Sequence, residues 1–256
     1  MGFAQFQGEG PHDNMIPLFE LNPAIDRATA KHRFAADRRV QLRDVLTPRT
    51  AETIHTILSS QTRWGLAWRA AEDGPHGIPS EQLAKLSPAE EQGIREKLTS
   101  ALRGRDYGFV YAQYRMLDAY LEKWDAGGPL DLIVEHLNSE PFLDLVREVT
   151  GMPELIKADA QATLYGPSHF LSEHDDSHVA EGWRIAYVLS FCEADWRPDW
   201  GGYLMFYDED GDVLAGFRPR FNALNLFRVP QKHNVTFVPP FAPVARFAIT
   251  GWLRDR

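Results

Sequence analysis
The sequence is poor in cysteine. Cys192 is the only one, so the chain can form no internal disulfide framework and no multi-cysteine zinc or iron–sulfur site. A single thiol also fits a reducing compartment better than an oxidising one. Basic excess is lacking too: 27 Lys+Arg face 36 Asp+Glu, a formal charge of −9. That balance disfavours nucleic acid as a partner, while a local cation can still take a phosphate or carboxylate. No apolar run approaches the roughly 20 residues that cross a bilayer, and no basic amphipathic segment is there to lie on one. The opening MGFAQFQGEGPHDN has no basic start followed by an apolar stretch, and Phe6 stands where an acylation signal after Gly2 would need Ser or Thr. The expectation is a cytoplasmic protein without a membrane partner. What is present is ordinary globular composition, 44% hydrophobic and 25% charged over 256 residues, enough to bury a core unaided.

The two halves differ in period. From Asn22 to about Gly151 the punctuation is helical: Asn22-Pro23 opens a helix towards Arg38, Thr47-Pro48 opens another with Ile54, Ile57, Leu58 and Gln61 on one side, and Ser87-Pro88 with Glu90 forms a capping box. VQLRDVL at 40–46 interrupts with a strand-like alternation. Residues 71–86 are rich in Gly, Pro and Glu and are expected to form a surface loop, and 109–124 spaces Met116, Tyr120 and Trp124 at helical intervals. Past Lys157 the period becomes two, with strands expected at 159–165, 184–191, 202–207, 222–229, 234–237 and 245–252, and a hairpin turn at 208–211. The pattern is that of a sandwich or jelly roll buttressed by helices. We expect one catalytic domain over 1–256, with 22–154 a mostly helical support and 155–254 the β core.

The polar residues of the β half are unevenly placed. His169, His174 and His178 crowd together, and in an extended segment the H-x-D step His174/Asp176 would aim an imidazole and a carboxylate at one point. His233 is the candidate third ligand. Two imidazoles and a carboxylate on one face of an octahedral ion leave three positions open, as in non-haem Fe(II) oxygenases; zinc on the same residues, used for hydrolysis, stays open at this point. Arg246 alternates with Phe247 and Ile249 and shares a face with Ala248 and Thr250. A guanidinium among small residues inside a barrel asks for an anion, and a bidentate carboxylate suits it best.

The order His174, Asp176, His233, Arg246, with the texts HDD, RIAYVLSF, GGYLMFYDEDG, NALNLF and ARFAITGW, resembles the iron(II)- and 2-oxoglutarate-dependent dioxygenases, in particular their prolyl 4-hydroxylase-like branch. The resemblance spans about residues 155–254. It implies a double-stranded β-helix (jelly roll, cupin-like) that holds Fe(II) through His174, Asp176 and His233. Arg246 would bind the far carboxylate of 2-oxoglutarate, joined by Tyr165 and Asn222, with Arg184 in support and O2 as second cosubstrate; ascorbate is admissible as an accessory reductant. The implied reaction is hydroxylation with release of succinate and CO2. The substrate suggested is a prolyl residue of a protein or peptide, reached past the 71–86, 193–200 and 201–202 segments, with Trp196 and Trp200 as an open recognition surface or as buried support. A free amino acid or other small molecule is the alternative substrate, and a metal hydrolase or non-catalytic scaffold the alternative class. Asp175 is expected to order the loop or meet substrate, His169 and His178 to lie on a loop or rim, Phe206, Phe227 and Leu226 to fill core or shield the metal, and Cys192 to be a buried small hydrophobe.

Overall fold
Alternating apolar residues make strands with two differently clothed faces, and the second half of the chain uses both. In the computed structural model, which describes residues 18–177, 179–193 and 195–256, the elements run α1 (Arg27–Asp37), β1 (Arg39–Arg43), α2 (Pro48–Thr56) continued by a π-helical turn (Ile57–Gln61), β2 (Gly65–Ala70), β3 (Asp73–Ile78), α3 (Ser80–Leu83), α4 (Pro88–Arg103), β4 (Gly108–Tyr114), α5 (Met116–Glu122), α6 (Pro129–Leu137) and α7 (Glu140–Thr150). Then follow β5 (Lys157–Ala158), β6 (Gln161–Tyr165), β7 (Phe170–His174), β8 (Trp183–Ser190), β9 (Leu204–Tyr207), β10 (Val213–Phe217), β11 (Ala223–Arg228), β12 (His233–Val235) and β13 (Arg246–Arg254). The reading of Gly2 and Phe6, and of His178, falls outside the described residues.

The strands pair antiparallel into a near-closed double-stranded β-helix. One sheet has the order β6-β13-β8-β11 and the facing sheet β7-β12-β9-β10; β4 joins them by pairing with both β6 and β7. β1 extends the first sheet beyond β11, and the β2–β3 hairpin extends it through β4. Tyr187, Leu189, Leu224, Leu226 and Ile249 face outward against Phe34, Leu58, Ile133, Phe142 and Val146 of the helices. The intervening Ala186, Val188, Phe227 and Ala248 face inward to meet Leu204 and Phe206. Each fully buried aliphatic or aromatic side chain contributes about 1.5–3 kcal/mol, so the helices bury the outer face of the sheet and leave its inner face for the site. Among the described residues no helix is long and apolar enough to cross a membrane.

Several local expectations are corrected. The first helix begins at Arg27, because Asp26 caps it by accepting from Thr29 N at 2.9 Å, whereas Asn22 closes a local turn onto Ala24 and donates to the Asp44 carbonyl. Thr47 precedes Pro48 without a side-chain cap, its hydroxyl meeting Thr50 and Glu20 instead, and Gln61 lies exposed while Ile54, Ile57 and Leu58 are buried. Residues 71–86 are not a loop but β3 and α3, since the hairpin lets Trp68 stack on His76 at 4.3 Å. Phe109–Tyr114 is strand rather than helix: Phe109 and Tyr111 point into the barrel, and only Met116 onward follows the helical period. The support is thus less helical than expected, contributing four strands, and β7 and β10 join the β core. The Ser87 capping box and the Gly211 turn, with φ +87°, form as expected.

Candidate active site
Strand register brings the two histidines together. His174 closes β7 directly opposite His233 of β12, and their rings lie 4.1 Å apart. Asp176 does not share a strand face with His174 as the extended H-x-D reading required. The chain leaves β7 after His174 and Asp176 adopts φ +57°, a left-handed conformation that Asp tolerates better than most residues, so the turn itself swings the carboxylate back. Asp176 Oδ1 then lies 3.4 Å from His174 Nε2 and Oδ2 lies 3.5 Å from His233 Nε2. One ligand atom from each of the three residues falls within 4.8 Å of the others. The two carboxylate–imidazole separations are under twice a metal–nitrogen distance of about 2.1 Å, so an ion held by Asp176 lies within reach of either imidazole.

The surrounding hydrogen bonds prepare the donors. His174 Nδ1 donates to the Ser172 carbonyl at 3.0 Å and His233 Nδ1 to the Gln231 carbonyl at 2.8 Å, which leaves each Nε2 lone pair directed at the shared point. Burial lowers the His233 pKa to about 4, with the neighbouring His174 adding to the effect. Burial would lower His174 as well, but the Asp176 carboxylate raises it above the ordinary histidine value. Burial would raise Asp176, yet the hydrogen bond to His174 and the charge of the two imidazoles hold it below the usual carboxylate value. Phe227, 4.6 Å from His233, and Phe206 cover that imidazole, while Leu226 belongs to the outer core. Asp175 orders the loop, its carboxylate accepting from Ser177 N and its carbonyl from Gln231 N.

Arg246, 2% exposed, pairs across the ladder with Tyr165, its guanidinium carbon 5.1 Å from that ring. Its Nε and Nη1 are buried without a hydrogen-bond partner. Tyr165 is itself buried and stacked on Tyr111 at 5.1 Å, and burial holds its pKa well above the ordinary phenol value. Asn222 does not join this group: its Oδ1 accepts from Leu46 N and its Nδ2 donates to the Leu46 carbonyl, so the amide clamps the β1–α2 connection instead. Arg184 pairs with Asp255 at 2.6 Å. Trp196 is buried and meets Trp200 edge-on, Cys192 is buried with its thiol pKa pushed up to about 12, and His169 is part-buried beside Gly166.

One neighbour of the triad was missed from sequence. The Trp252 indole Nε1 donates to Asp176 Oδ2 at 3.0 Å, its ring stacks on Trp183 at 3.9 Å, and its backbone N–H is held by Asp159 Oδ1 at 2.6 Å. The alternation already read through Arg246, Ala248 and Thr250 reaches Trp252 two positions on. Tyr107, 5.9 Å from the His174 ring, had no comparable signal. A groove of about 530 Å³ bordered by Gln113, Tyr114 and Trp124 includes none of the triad residues.

Residues 160–254 match the family described as the 2OG-Fe(II) oxygenase superfamily. No curated protein matches the chain in sequence. Among solved structures, a prolyl-4-hydroxylase from Pseudomonas putida is similar at 18% identity and a TM-score of 0.55, with 90% of this chain and 99% of that one covered. An oxidoreductase of the 2OG-Fe(II) oxygenase family from Burkholderia pseudomallei is similar at 12% identity and a TM-score of 0.54, over 93% and 94% of the two chains. At these identities the likeness is one of fold.

Proposed function
We propose that this chain, an iron(II)/2-oxoglutarate-dependent dioxygenase, hydroxylates a prolyl residue of a polypeptide, with all 256 residues acting as one catalytic unit. The observation that carries the cosubstrate assignment is Arg246: a buried guanidinium with two unpartnered N–H-bearing nitrogens is costly unless an anion completes it. The far carboxylate of 2-oxoglutarate has the charge and the two-oxygen geometry to do so. The triad fits a hard divalent ion that keeps open positions, since it offers two nitrogens and one oxygen and no thiolate. Iron(II) and 2-oxoglutarate, when bound, supply O2 activation coupled to decarboxylation, with succinate and CO2 as co-products.

The chain's own residues then act by placement. His174 and His233 present Nε2 lone pairs fixed by their carbonyl partners, and Asp176 supplies the single negative charge. Arg246 and Tyr165 would fix one end of the cosubstrate and thereby orient the other. Phe206 and Phe227 exclude water from the His233 side. Tyr107 and the stacked Trp183 and Trp252 give the triad an aromatic surround, which suits an apolar ring such as a prolyl side chain. The fold shared with the Pseudomonas putida prolyl-4-hydroxylase supports the same substrate class.

The test is incubation with Fe(II), 2-oxoglutarate and O2, offering proline-bearing peptides beside free proline and other amino acids. Mass spectrometry should find one added oxygen on a prolyl residue, with succinate formed in equal amount. Oxygen on free amino acids alone, or no oxygen on any proline, would overturn the substrate assignment.

A further inference from the structure
Arginines collect on one sheet edge of this acidic chain. Arg43 ends β1, and Arg218 and Arg220 lie in the segment leading into β11, to which β1 is paired with Arg43 opposite Ala223. A directed chain of hydrogen bonds places one of them. Asn225 Nδ2 donates to the Val188 carbonyl at 3.0 Å, and Asn225 Oδ1 accepts from Gln41 Nε2 at 2.8 Å. The same Gln41 Nε2 faces the Arg218 carbonyl at 3.2 Å, and Gln41 Oε1 accepts from Arg220 Nε at 2.8 Å. Each amide is therefore fixed in orientation, and the chain runs from the sheet interior out to a guanidinium.

What it holds is a cation facing cations. Burial and the charges of Arg43 and Arg218 lower the Arg220 pKa from the usual arginine value, and no carboxylate is among the groups acting on it. Among the described residues none of the three guanidiniums forms an ion pair, the terminal nitrogens of Arg220 make no hydrogen bond, and Arg218 Nε is buried without a partner. Arg43 and Gln41 share a face of β1, so the exposed Arg43 sits beside the ordered pair. Like charges held together by preorganised neutral groups are stable only at a cost that a bound anion removes.

We propose that Arg43, Arg218 and Arg220 form a binding site for a phosphate-type oxyanion, separate from the Arg246 chamber. A lone carboxylate brings two oxygens and one charge, enough for one guanidinium, whereas a phosphoryl group brings three oxygens and a charge near −2, and pyrophosphate more. The group can come from a free phosphate compound or from a phosphorylated polypeptide.

Calorimetric titration of the full chain with inorganic phosphate, pyrophosphate and a phosphoserine peptide tests this. Binding of at least one is expected, weakened by about 10- to 100-fold in Arg220→Gln, the range for loss of a charge-assisted hydrogen bond. Arg43→Gln, at an exposed position that is safe for folding, should weaken it as well and leave 2-oxoglutarate turnover unchanged. Arg246→Met should retain the binding, which places it outside the cosubstrate chamber. Tighter binding of the peptide than of pyrophosphate identifies a phosphorylated polypeptide as the source, and the reverse order a free compound. No binding at millimolar pyrophosphate or peptide, or binding unchanged in both glutamine variants, overturns the proposal.

Discussion

Replacing Arg246 with methionine removes a charge while keeping most of the side chain's length, and it should separate ligand binding from folding. In the protein as it stands, Arg246 is 2% exposed and its Nε and Nη1 have no partner, so the substitution strands no other polar group. The variant should be no less stable than wild type, because an unpaired buried charge disappears and an apolar chain takes its place beside Tyr165. Cosubstrate binding should fall steeply. Losing one member of a desolvated charge pair costs about 2–5 kcal/mol, a factor of about 30 to 5,000 in affinity. The assay is anaerobic titration of the Fe(II)-loaded protein with 2-oxoglutarate, followed by its absorption, beside thermal melts with and without 2-oxoglutarate. Wild type should melt higher with the ligand, by an amount set by its affinity, and the variant should show no shift at the same concentration. A change in affinity below about threefold, with a lowered melting temperature, would mean that Arg246 serves the fold and not the cosubstrate.

Trp252→Phe keeps the stacked ring and deletes the N–H that holds Asp176 Oδ2; Co(II) titration should show metal affinity about 10- to 100-fold weaker, and an unchanged affinity would leave the indole no role in placing the ligand. His169 has its pKa lowered by burial, and its Nδ1 accepts from Gly166 N at 3.1 Å. The unfolded chain therefore binds the proton more readily, and stability should fall as the pH drops through the ordinary histidine value towards the lowered one. His169→Gln should flatten that part of the stability–pH curve measured by urea unfolding, and an unaltered slope would refute the assignment. Ser87→Ala breaks the capping box, in which Ser87 Oγ accepts from Glu90 N and Glu90 accepts from Ser87 N; denaturant melts should show a loss of about 1 kcal/mol.

Much of the β core was legible because alternation reports burial directly. Arg246, Ala248 and Thr250 were read on one face, and His174, Asp176 and His233, named together from their order, do come together in the fold. The means by which Asp176 reaches the histidines was not legible, since it depends on a left-handed backbone turn at a non-glycine residue, and spacing carries no information about that. Asn222 was misplaced for a related reason. Its amide partner, Leu46, is distant in sequence and adjacent only because β1 pairs with β11. The β2–β3 hairpin hid behind Gly and Pro, which mark turns and edge strands alike, and Phe109–Tyr114 was absorbed into the helical spacing of the residues after it. The arginine cluster is another product of register, assembled from segments far apart in the chain.

His174, Asp176 and His233 are expected to hold iron(II) in a form that takes 2-oxoglutarate. Anaerobic addition of Fe(II) and then 2-oxoglutarate to the purified, metal-free protein, watched for a metal-to-ligand absorption band, tests it most directly. A band is expected in wild type that saturates with the cosubstrate and is absent in His174→Ala and Asp176→Ala. A wild-type protein that binds Fe(II) without developing the band, or a band that survives in both variants, would contradict it.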